Sequence, residues 1–190
     1  MELREILTQH YRVSQKAIEA FASACELVSC EPMVKVVEQG RVADSLWITR
    51  QGVARIVFEG DEGESTVAFG SDGDVFTSVH SFHCGQPSKF SLETLVKTDF
   101  YRIGFTDLKR LLHEYENLLM WFVGVCLDEL YGLEMRYSCF GTGDAYSRYC
   151  TLMQRRQDIL NRIPLKYVAQ YLHVTQSTLS RLRARYGREG

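Results

Sequence analysis

Apolar residues recur at two different periods along this chain, and the changes of period divide it into three regions. Residues 2–28 carry apolar side chains at the spacing of a helix. Between residues 33 and 103 the period becomes two, in short runs separated by polar turns that contain glycine. From residue 105 onward the helical spacing returns. The pattern therefore predicts helices, then a β-rich unit, then a second set of helices.

The predicted strands of the middle region are short and evenly spaced. Leu46 and Ile48 share one face of a strand, and Val53 and Val57 belong to the next run. Residues 59–64, EGDEGE, have the composition of a polar hairpin tip. Such strands are typical of a β-sandwich or barrel of jelly-roll type, and we predict a jelly-roll β-barrel. Together with the flanking helices, they predict an α+β fold.

A longer helix is predicted from about Asn117 to Tyr137. Apolar side chains recur along it at steps of three and four residues, a spacing that suits pairing with a second helix. Because the helix also carries little charge, we favour a dimer interface over packing within its own domain alone. The predicted interface residues are Leu119, Phe122, Cys126, Leu130, Leu133 and Tyr137.

A glycine-containing break, FGTGD at residues 140–144, follows this helix, and we place a domain boundary there. The chain then has three parts. Residues 1–116 hold the barrel with its N-terminal helices, residues 117–140 form the dimerisation helix, and residues 141–190 form a C-terminal domain.

Residues 163–185, IPLKYVAQYLHVTQSTLSRLRAR, predict two short helices joined by a tight turn. Pro164 suits the first helical position, and Thr175 is a candidate N-cap of the second helix. The outward positions of that second helix carry hydrogen-bond donors and no acid. In helix-turn-helix units such a helix enters the major groove, where Arg pairs with guanine and Gln with adenine. The alternative is an αα-hairpin with a solvated charged face.

The distribution of charge favours nucleic acid over that alternative. Residues 141–190 contain nine Lys and Arg against three acids, a net charge of +6. The preceding residues contain 13 basic and 21 acidic side chains, a net charge of −8. A chain with an overall charge of −2 thus has a basic C-terminal part, the electrostatic signature of nucleic-acid binding.

Composition excludes a membrane protein. The chain is 45% hydrophobic, as in globular proteins, and no apolar run approaches the roughly 20 residues that span a bilayer. The N-terminus lacks an apolar signal core, so we expect a cytoplasmic protein. Its six cysteines lack CxxC spacing and are expected to be reduced.

Candidate catalytic and metal-binding residues are few. His80, His83 and Cys84 cluster on a predicted loop and could supply a haem ligand. The odd separation of the two histidines would place them on opposite faces of a strand, unlike the paired ligands of a cupin-type metalloenzyme. We find no nucleophile–base arrangement and no phosphate-binding loop. We therefore expect neither an enzyme nor a bound metal or cofactor.

The order of helices, small barrel, long helix and helix-turn-helix resembles the catabolite activator/fumarate-nitrate regulator (Crp/Fnr) superfamily of bacterial transcription regulators. The segments VKVVEQGRVADSLWITRQGVARIVF and RIPLKYVAQYLHVTQSTLSRLR carry the resemblance. It implies a cyclic-nucleotide-binding-like sensor and a cytoplasmic homodimer. The dimer would bind a palindromic operator in double-stranded DNA, with half-sites about 34 Å apart. A small-molecule effector and RNA polymerase are further partners that it implies.

The resemblance also assigns the DNA-binding side chains. It places base readout at Gln176, Ser177 and Arg181, of which Arg181 alone keeps the residue type of the catabolite activator. Lys166 is assigned to the phosphate backbone with two arginines of the second helix. The full predicted set is Thr175, Gln176, Ser177, Thr178, Ser180, Arg181, Arg183, Arg185 and Lys166.

The effector site departs from the family pattern. Gly73 and Asp74 stand near the family's first phosphate-binding segment, and Ser88 and Lys89 stand at the second. The arginine that would pair with a cyclic phosphate is missing, so we expect neither cyclic AMP nor cyclic GMP as effector.

The C-terminal domain departs from the pattern too. His173 stands where the family's turn often has glycine, and no full β-wing follows the second helix. These departures leave open a degenerate sensor protein of the same fold that acts through a protein partner. A cupin-like metalloenzyme is the remaining alternative.

Overall fold

The computed structural model describes residues 1–9, 11–61 and 63–189, together with their side chains except those of residues 139–142, 155, 158 and 189. Helices lie at both ends of the chain and strands in the middle. The helices are α1 (Leu3–Thr8), α2 (Gln15–Ala24), α3 (Val79–Cys84), α4 (Phe105–Glu114), α5 (Glu116–Thr142), α6 (Ala145–Leu160), α7 (Leu165–Tyr171) and α8 (Gln176–Glu189). The strands are β1 (Glu26–Cys30), β2 (Lys35–Val37), β3 (Ser45–Gln51), β4 (Ala54–Gly60), β5 (Gly63–Gly70), β6 (Val75–Phe76), β7 (Ser91–Thr94) and β8 (Thr98–Gly104).

The described strands form two antiparallel sheets, in the orders β1-β8-β3-β6 and β2-β7-β4-β5. The two sheets pack through a shared interior in which the rings of Trp47 and Phe100 meet edge to face at 5.6 Å. Ala54, Phe76 and Leu92 belong to the same interior. The pairings leave both sheets open at their ends, so the strands form the jelly-roll sandwich and not the barrel, the form that we predicted of the two.

Helices cover the outer face of the first sheet. Leu46 and Ile48 of β3 and Ile103 of β8 belong to one buried cluster with residues of α1, α2, α4 and α5. Phe21 and Trp121 pack edge to face within it, with ring centroids 5.6 Å apart. Both faces of β3 are therefore covered, and its residues from Ser45 to Thr49 are all buried.

The predicted helical region of residues 2–28 is wrong at its end. The chain leaves the helical conformation at Cys25 and forms β1, in which Glu26 pairs with Arg102 of β8. The strand forms because it meets a distant partner, and local apolar spacing carries no information about that partner.

The long helix α5 continues to Thr142, five residues beyond the predicted end at Tyr137. The helix ends before Gly143. The Asp144 side chain then caps α6 by accepting a hydrogen bond from the backbone N–H of Ser147 at 2.8 Å. The junction therefore lies at the end of the predicted break and separates α5 from the helices α6–α8, which we call the head. No helix of the described residues is long and apolar enough to cross a membrane.

The head packs around a buried cluster that also includes Val53, Phe69 and Leu95 of the sandwich. Leu172 and Leu179 are buried between α7 and α8, and Tyr149 of α6 contacts the ring of Tyr186 at 5.7 Å. Pro164 precedes α7 as its N-cap residue, one position before the predicted one. In the turn, His173 adopts the left-handed conformation with φ of 51°.

Candidate nucleic-acid interface

One face of α8 packs into the head and the opposite face is exposed. Leu179 is buried and Leu182 is half-buried, because the two residues face α6 and α7. The exposed positions in the first two turns are Gln176, Ser177, Ser180 and Arg181. The fold thus brings the predicted base-reading residues together on one outward surface.

A chain of hydroxyl groups organises the start of this surface. The Thr175 hydroxyl accepts a hydrogen bond from the backbone N–H of Thr178 at 3.2 Å and caps α8. It also donates to the Thr178 hydroxyl at 3.0 Å. Arg181 donates in turn to that Thr178 hydroxyl at 3.2 Å. These contacts hold the Arg181 side chain along the N-terminal half of α8.

The residues assigned to phosphates contact aromatic side chains. The guanidinium carbon of Arg185 lies 3.7 Å from the ring centroid of Tyr146, and the Lys166 ammonium lies 4.5 Å from that of Tyr167. Arg183 lies close to Tyr149, whose pKa burial raises and Arg183 lowers. Both arginines therefore contact side chains of α6.

Sequence reasoning did not single out Arg148, which ties the turn of the head to its junction with α5. Its guanidinium donates to the carbonyl oxygen of Gly143 at 3.0 Å and to that of Leu172 at 3.1 Å. An arginine between Ser147 and Tyr149 gives no local signal for such a role, because both hydrogen-bond partners are backbone atoms brought close by folding.

The exposed side of α5 is apolar over several turns. Leu119, Val123, Leu130, Leu133 and Tyr137 are large exposed hydrophobic residues on it. Cys126, also exposed, lies in the same row. These positions step by four, three, four, three and four residues, which is a heptad spacing.

Phe122 departs from the predicted row. Its ring packs against Phe82 of α3, with centroids 5.4 Å apart, and joins the cluster beneath the first sheet. Val123, the next residue along the helix, occupies the outward position instead.

The head contacts the outer face of the second sheet. The Arg156 guanidinium donates to the Asp74 carboxylate at 2.5 Å and to the Ser71 hydroxyl at 3.0 Å. The rings of Phe69 on β5 and Tyr171 on α7 pack with centroids 5.4 Å apart. The orientation of α8 relative to the sandwich therefore depends on these contacts.

A cavity of about 280 Å³ lies where the sandwich, α5 and the head meet. Its lining includes Ile56 and Phe76 of the sandwich, Glu129 of α5, and Arg156 and Tyr171 of the head. The walls of the cavity desolvate the Glu129 carboxyl and raise its pKa, an effect that Arg136 opposes. A molecule in this cavity would touch all three parts of the chain.

Residues 27–115 match the cyclic nucleotide-binding domain family. Solved structures of similar fold include FixK2 from Bradyrhizobium japonicum, at 17% identity over 87% of this chain and 86% of that chain, with a TM-score of 0.78. CLP of Xanthomonas campestris, described as a c-di-GMP responsive global regulator, is 17% identical over 93% of each chain, with a TM-score of 0.70. Catabolite activator protein of Thermus thermophilus is 15% identical over 97% of this chain and 88% of that chain, with a TM-score of 0.61. No curated protein sequence matches the chain at a significant level.

The chain has the fold of the Crp/Fnr regulators.

In this Crp/Fnr fold the four predicted effector residues lie in two separate places. Gly73 and Asp74 form the turn before β6 and line cavities beside α5. Ser88 is buried, and its hydroxyl donates to the carbonyl oxygen of Phe90 at 2.7 Å. Lys89 next to it is exposed. The Asp74 carboxylate is already engaged by Arg156.

The histidine cluster lies on the short helix α3 and not on a loop. His80 contacts the carbonyl oxygen of Pro87 through Nδ1 at 2.8 Å, and His83 is exposed in the last turn. Among the residues that the structure describes, no three His, Cys, Asp or Glu side chains come together in a way that could hold a metal ion.

Proposed function

We propose that the protein is a homodimeric transcription regulator of the Crp/Fnr type that binds a palindromic operator through α8. The observation that carries this proposal is the outward face of α8, where Gln176, Ser177, Ser180 and Arg181 lie side by side and exposed. From residue 159 to residue 188 the head contains no acid. A surface of hydrogen-bond donors without carboxylates suits base edges flanked by phosphates.

Base readout is assigned to three of these side chains. Arg181 can donate two hydrogen bonds to O6 and N7 of guanine, and Gln176 can pair with adenine. Ser177 can donate to or accept from either kind of base. Lys166, Arg183 and Arg185 supply positive charge for the flanking phosphates, and the charged groups of Lys166 and Arg185 lie over aromatic rings.

The exposed row on α5 supports the dimer. Leu119, Val123, Cys126, Leu130 and Leu133, followed by Tyr137, would meet the same row of a second copy across a two-fold axis. Such a symmetric pair presents two heads to two symmetric half-sites, about one helical turn of DNA apart.

We further propose that cyclic AMP is not the effector. The residues that would replace the family's phosphate-binding arginine are a buried serine and an exposed lysine, Ser88 and Lys89. Calorimetry with cyclic AMP and cyclic GMP is expected to show no heat of binding at micromolar protein concentration. A micromolar dissociation constant for either nucleotide would contradict this proposal.

The experiment that tests the DNA-binding proposal is a selection of random double-stranded DNA on the purified protein, with salt raised in the final rounds. The expected result is a two-fold symmetric motif whose affinity falls steeply with salt, because binding releases counterions from the phosphates. Gln176→Ala and Arg181→Ala proteins are carried through the same selection, and each should lose preference at one position in each half-site.

An enriched motif without symmetry would contradict the dimeric arrangement. Binding with no enriched sequence at any salt concentration would contradict the operator and favour action through a protein partner.

A further inference from the structure

The cavity of about 280 Å³ between the sandwich, α5 and the head, which we call the junction cavity, has an apolar part and a charged part. Pockets for drug-sized ligands have volumes of roughly 300–1,000 Å³, so this cavity suits a smaller molecule. Neither Ser88 nor Lys89 is among its described lining residues, so it is separate from the second phosphate-binding segment of the family pattern. The apolar part is formed by Ile56, Phe69, Phe76, Met135, Leu152 and Tyr171.

Most cationic groups in the charged part already have partners within the chain. The Arg156 guanidinium pairs with the Asp74 carboxylate at 2.5 Å. Arg148 donates to the backbone carbonyl oxygens of Gly143 and Leu172. These two arginines therefore serve the structure of the head and its contact with the sandwich.

Arg136 and Glu129 of α5 also line the cavity, and their charged groups are open to a ligand. Within the described part of the chain, neither side chain makes a hydrogen bond or an ion pair. Arg136 is half-buried. Glu129 keeps part of its surface exposed, while the surrounding atoms desolvate its carboxyl and raise its pKa, which Arg136 opposes. Asp128, next to Glu129, adds negative charge at the same end of the cavity.

The two charges lie on one side of α5. They are seven residues apart, which is two helical turns or about 10 Å along the axis. Long side chains on a helix lean toward its N-terminus, so Arg136 leans toward Glu129. A wall with one unpaired cation and one unpaired anion suits a molecule that carries both charges.

Gly132 lies between these two residues and also lines the cavity. Glycine inside a helix destabilises it relative to alanine. A Cβ at this position would meet no described atom within 4 Å, so packing within the chain does not explain the glycine. The missing side chain leaves room for a ligand to approach the backbone of α5 closely.

We propose that the junction cavity binds a free amino acid with an apolar side chain, its carboxylate on Arg136 and its ammonium group on Glu129. The planar guanidinium of Arg136 can donate two parallel hydrogen bonds to a carboxylate. The ammonium group lies between the carboxylates of Glu129 and Asp128, and the apolar side chain packs against the apolar part of the cavity. This site goes beyond the proposed DNA binding and does not depend on it.

The test is calorimetry of the full chain with L-leucine and with L-phenylalanine. At least one of them should bind at one molecule per chain with a dissociation constant of roughly 0.1 mM or tighter, as expected for a ligand of about ten non-hydrogen atoms. The N-acetyl and the amide derivatives of the amino acid that binds each lack one charge. Each derivative should bind at least about tenfold more weakly.

Three variants test the assigned contacts. Arg136→Ala and Glu129→Gln should each weaken binding at least about tenfold. Glu134→Gln, at an exposed glutamate of the same helix outside the described lining, is the matched control for Glu129 and should leave binding unchanged. Gly132→Leu should abolish binding by filling the cavity. Because leucine favours a helix more than glycine does, its unfolding temperature should not fall, which excludes a folding defect as the cause.

Absence of binding by both amino acids, in calorimetry and in thermal unfolding, would overturn the proposal. An N-acetyl derivative that binds as tightly as the free amino acid would overturn the role of Glu129. Unchanged binding in Arg136→Ala and Gly132→Leu would place the ligand elsewhere and overturn the site. These measurements need no DNA, so failure of this site and failure of the proposed regulator are distinguishable.

Discussion

At the scale of the residue, Arg55 is the clearest case of a side chain whose role depends on its surroundings. A buried guanidinium is stable here because Glu93, itself buried, accepts from it at 2.7 Å, while Glu64 and Thr66 occupy its remaining N–H groups. Breaking such a buried pair by removing one partner leaves an uncompensated charge, which costs more than the pair contributes relative to an apolar replacement.

Replacing Arg55 with Met should therefore lower the free energy of unfolding by about 3–5 kcal/mol, because Glu93 remains buried without its cation. The double replacement Arg55→Met with Glu93→Leu should recover much of this loss. Urea unfolding followed by circular dichroism measures both changes. A double variant that is no more stable than Arg55→Met would contradict the assigned pairing.

Arg181 is the residue on which the specificity of the proposed regulator depends. Arg181→Ala should weaken binding to the selected operator by about 1–3 kcal/mol and relax the preference at one base position. Arg188→Ala, at an exposed arginine in the last turn of α8, is the control and should leave the preference intact. Fluorescence anisotropy on the operator and on single-base variants measures this. An equal loss on every duplex would make Arg181 a phosphate contact.

At the scale of the element, α5 has two apolar sides with different partners. Leu118, Trp121 and Phe122 face the cluster beneath the first sheet. Gly124 also faces inward, and a Cβ there would lie 2.0 Å from the hydroxyl oxygen of Tyr11, so glycine is needed for this close approach. The opposite side has the heptad row, whose large apolar side chains are exposed.

A charge in the middle of that row should separate the proposed dimer. Leu130→Glu is expected to convert the protein to a monomer in analytical ultracentrifugation, because two carboxylates would face each other across the two-fold axis. The control is Leu27→Glu on β1, where the wild-type leucine is exposed to a similar extent, 58% against 52%. A dimer that persists in Leu130→Glu would exclude this row as the interface.

At the scale of the whole molecule, an acidic part and a basic part lie in contact. Residues 1–140 have a net charge of −8 and residues 141–190 a net charge of +6, so the two parts attract each other. DNA phosphates can compete with the acidic part for the arginines of the basic part. Docking of the head on the sandwich, dimerisation and DNA binding thus involve the same few helices. Substitutions of Asp74, Arg148 or Arg156 at the junction can therefore alter docking, dimerisation and DNA binding together.

Thiol labelling reports on this assembly, because the described cysteines are free and lie in different environments. Burial raises the pKa of Cys25 to about 12, so it should react slowly with iodoacetamide at pH 7.5. Exposed Cys84 should react first. Cys126 should be protected at high protein concentration and should become reactive on dilution or in Leu130→Glu. Mass spectrometry of timed samples measures each site, and a Cys126 rate independent of concentration would contradict its place in the interface.

The sequence by itself was sufficient for features that depend on neighbours within a few residues. The two periods of apolar residues, the capping role of Thr175 and the outward position of Arg181 all follow from helix and strand geometry. The charge difference between the two parts of the chain is visible directly. The likeness in fold to Crp/Fnr regulators rests on the same order of elements, and it is confirmed.

Only the tertiary structure decided which distant residues meet. Arg55 contacts Glu93, 38 positions away, and Gln170, 115 positions away. Neither contact can be predicted from the spacing of apolar and polar residues around Arg55. The same holds for β1, which forms by pairing with β8, and for Phe122, which turns inward because Phe82 lies there. Periodicity tells how each segment can fold, whereas burial and pairing depend on which surfaces the whole chain brings together.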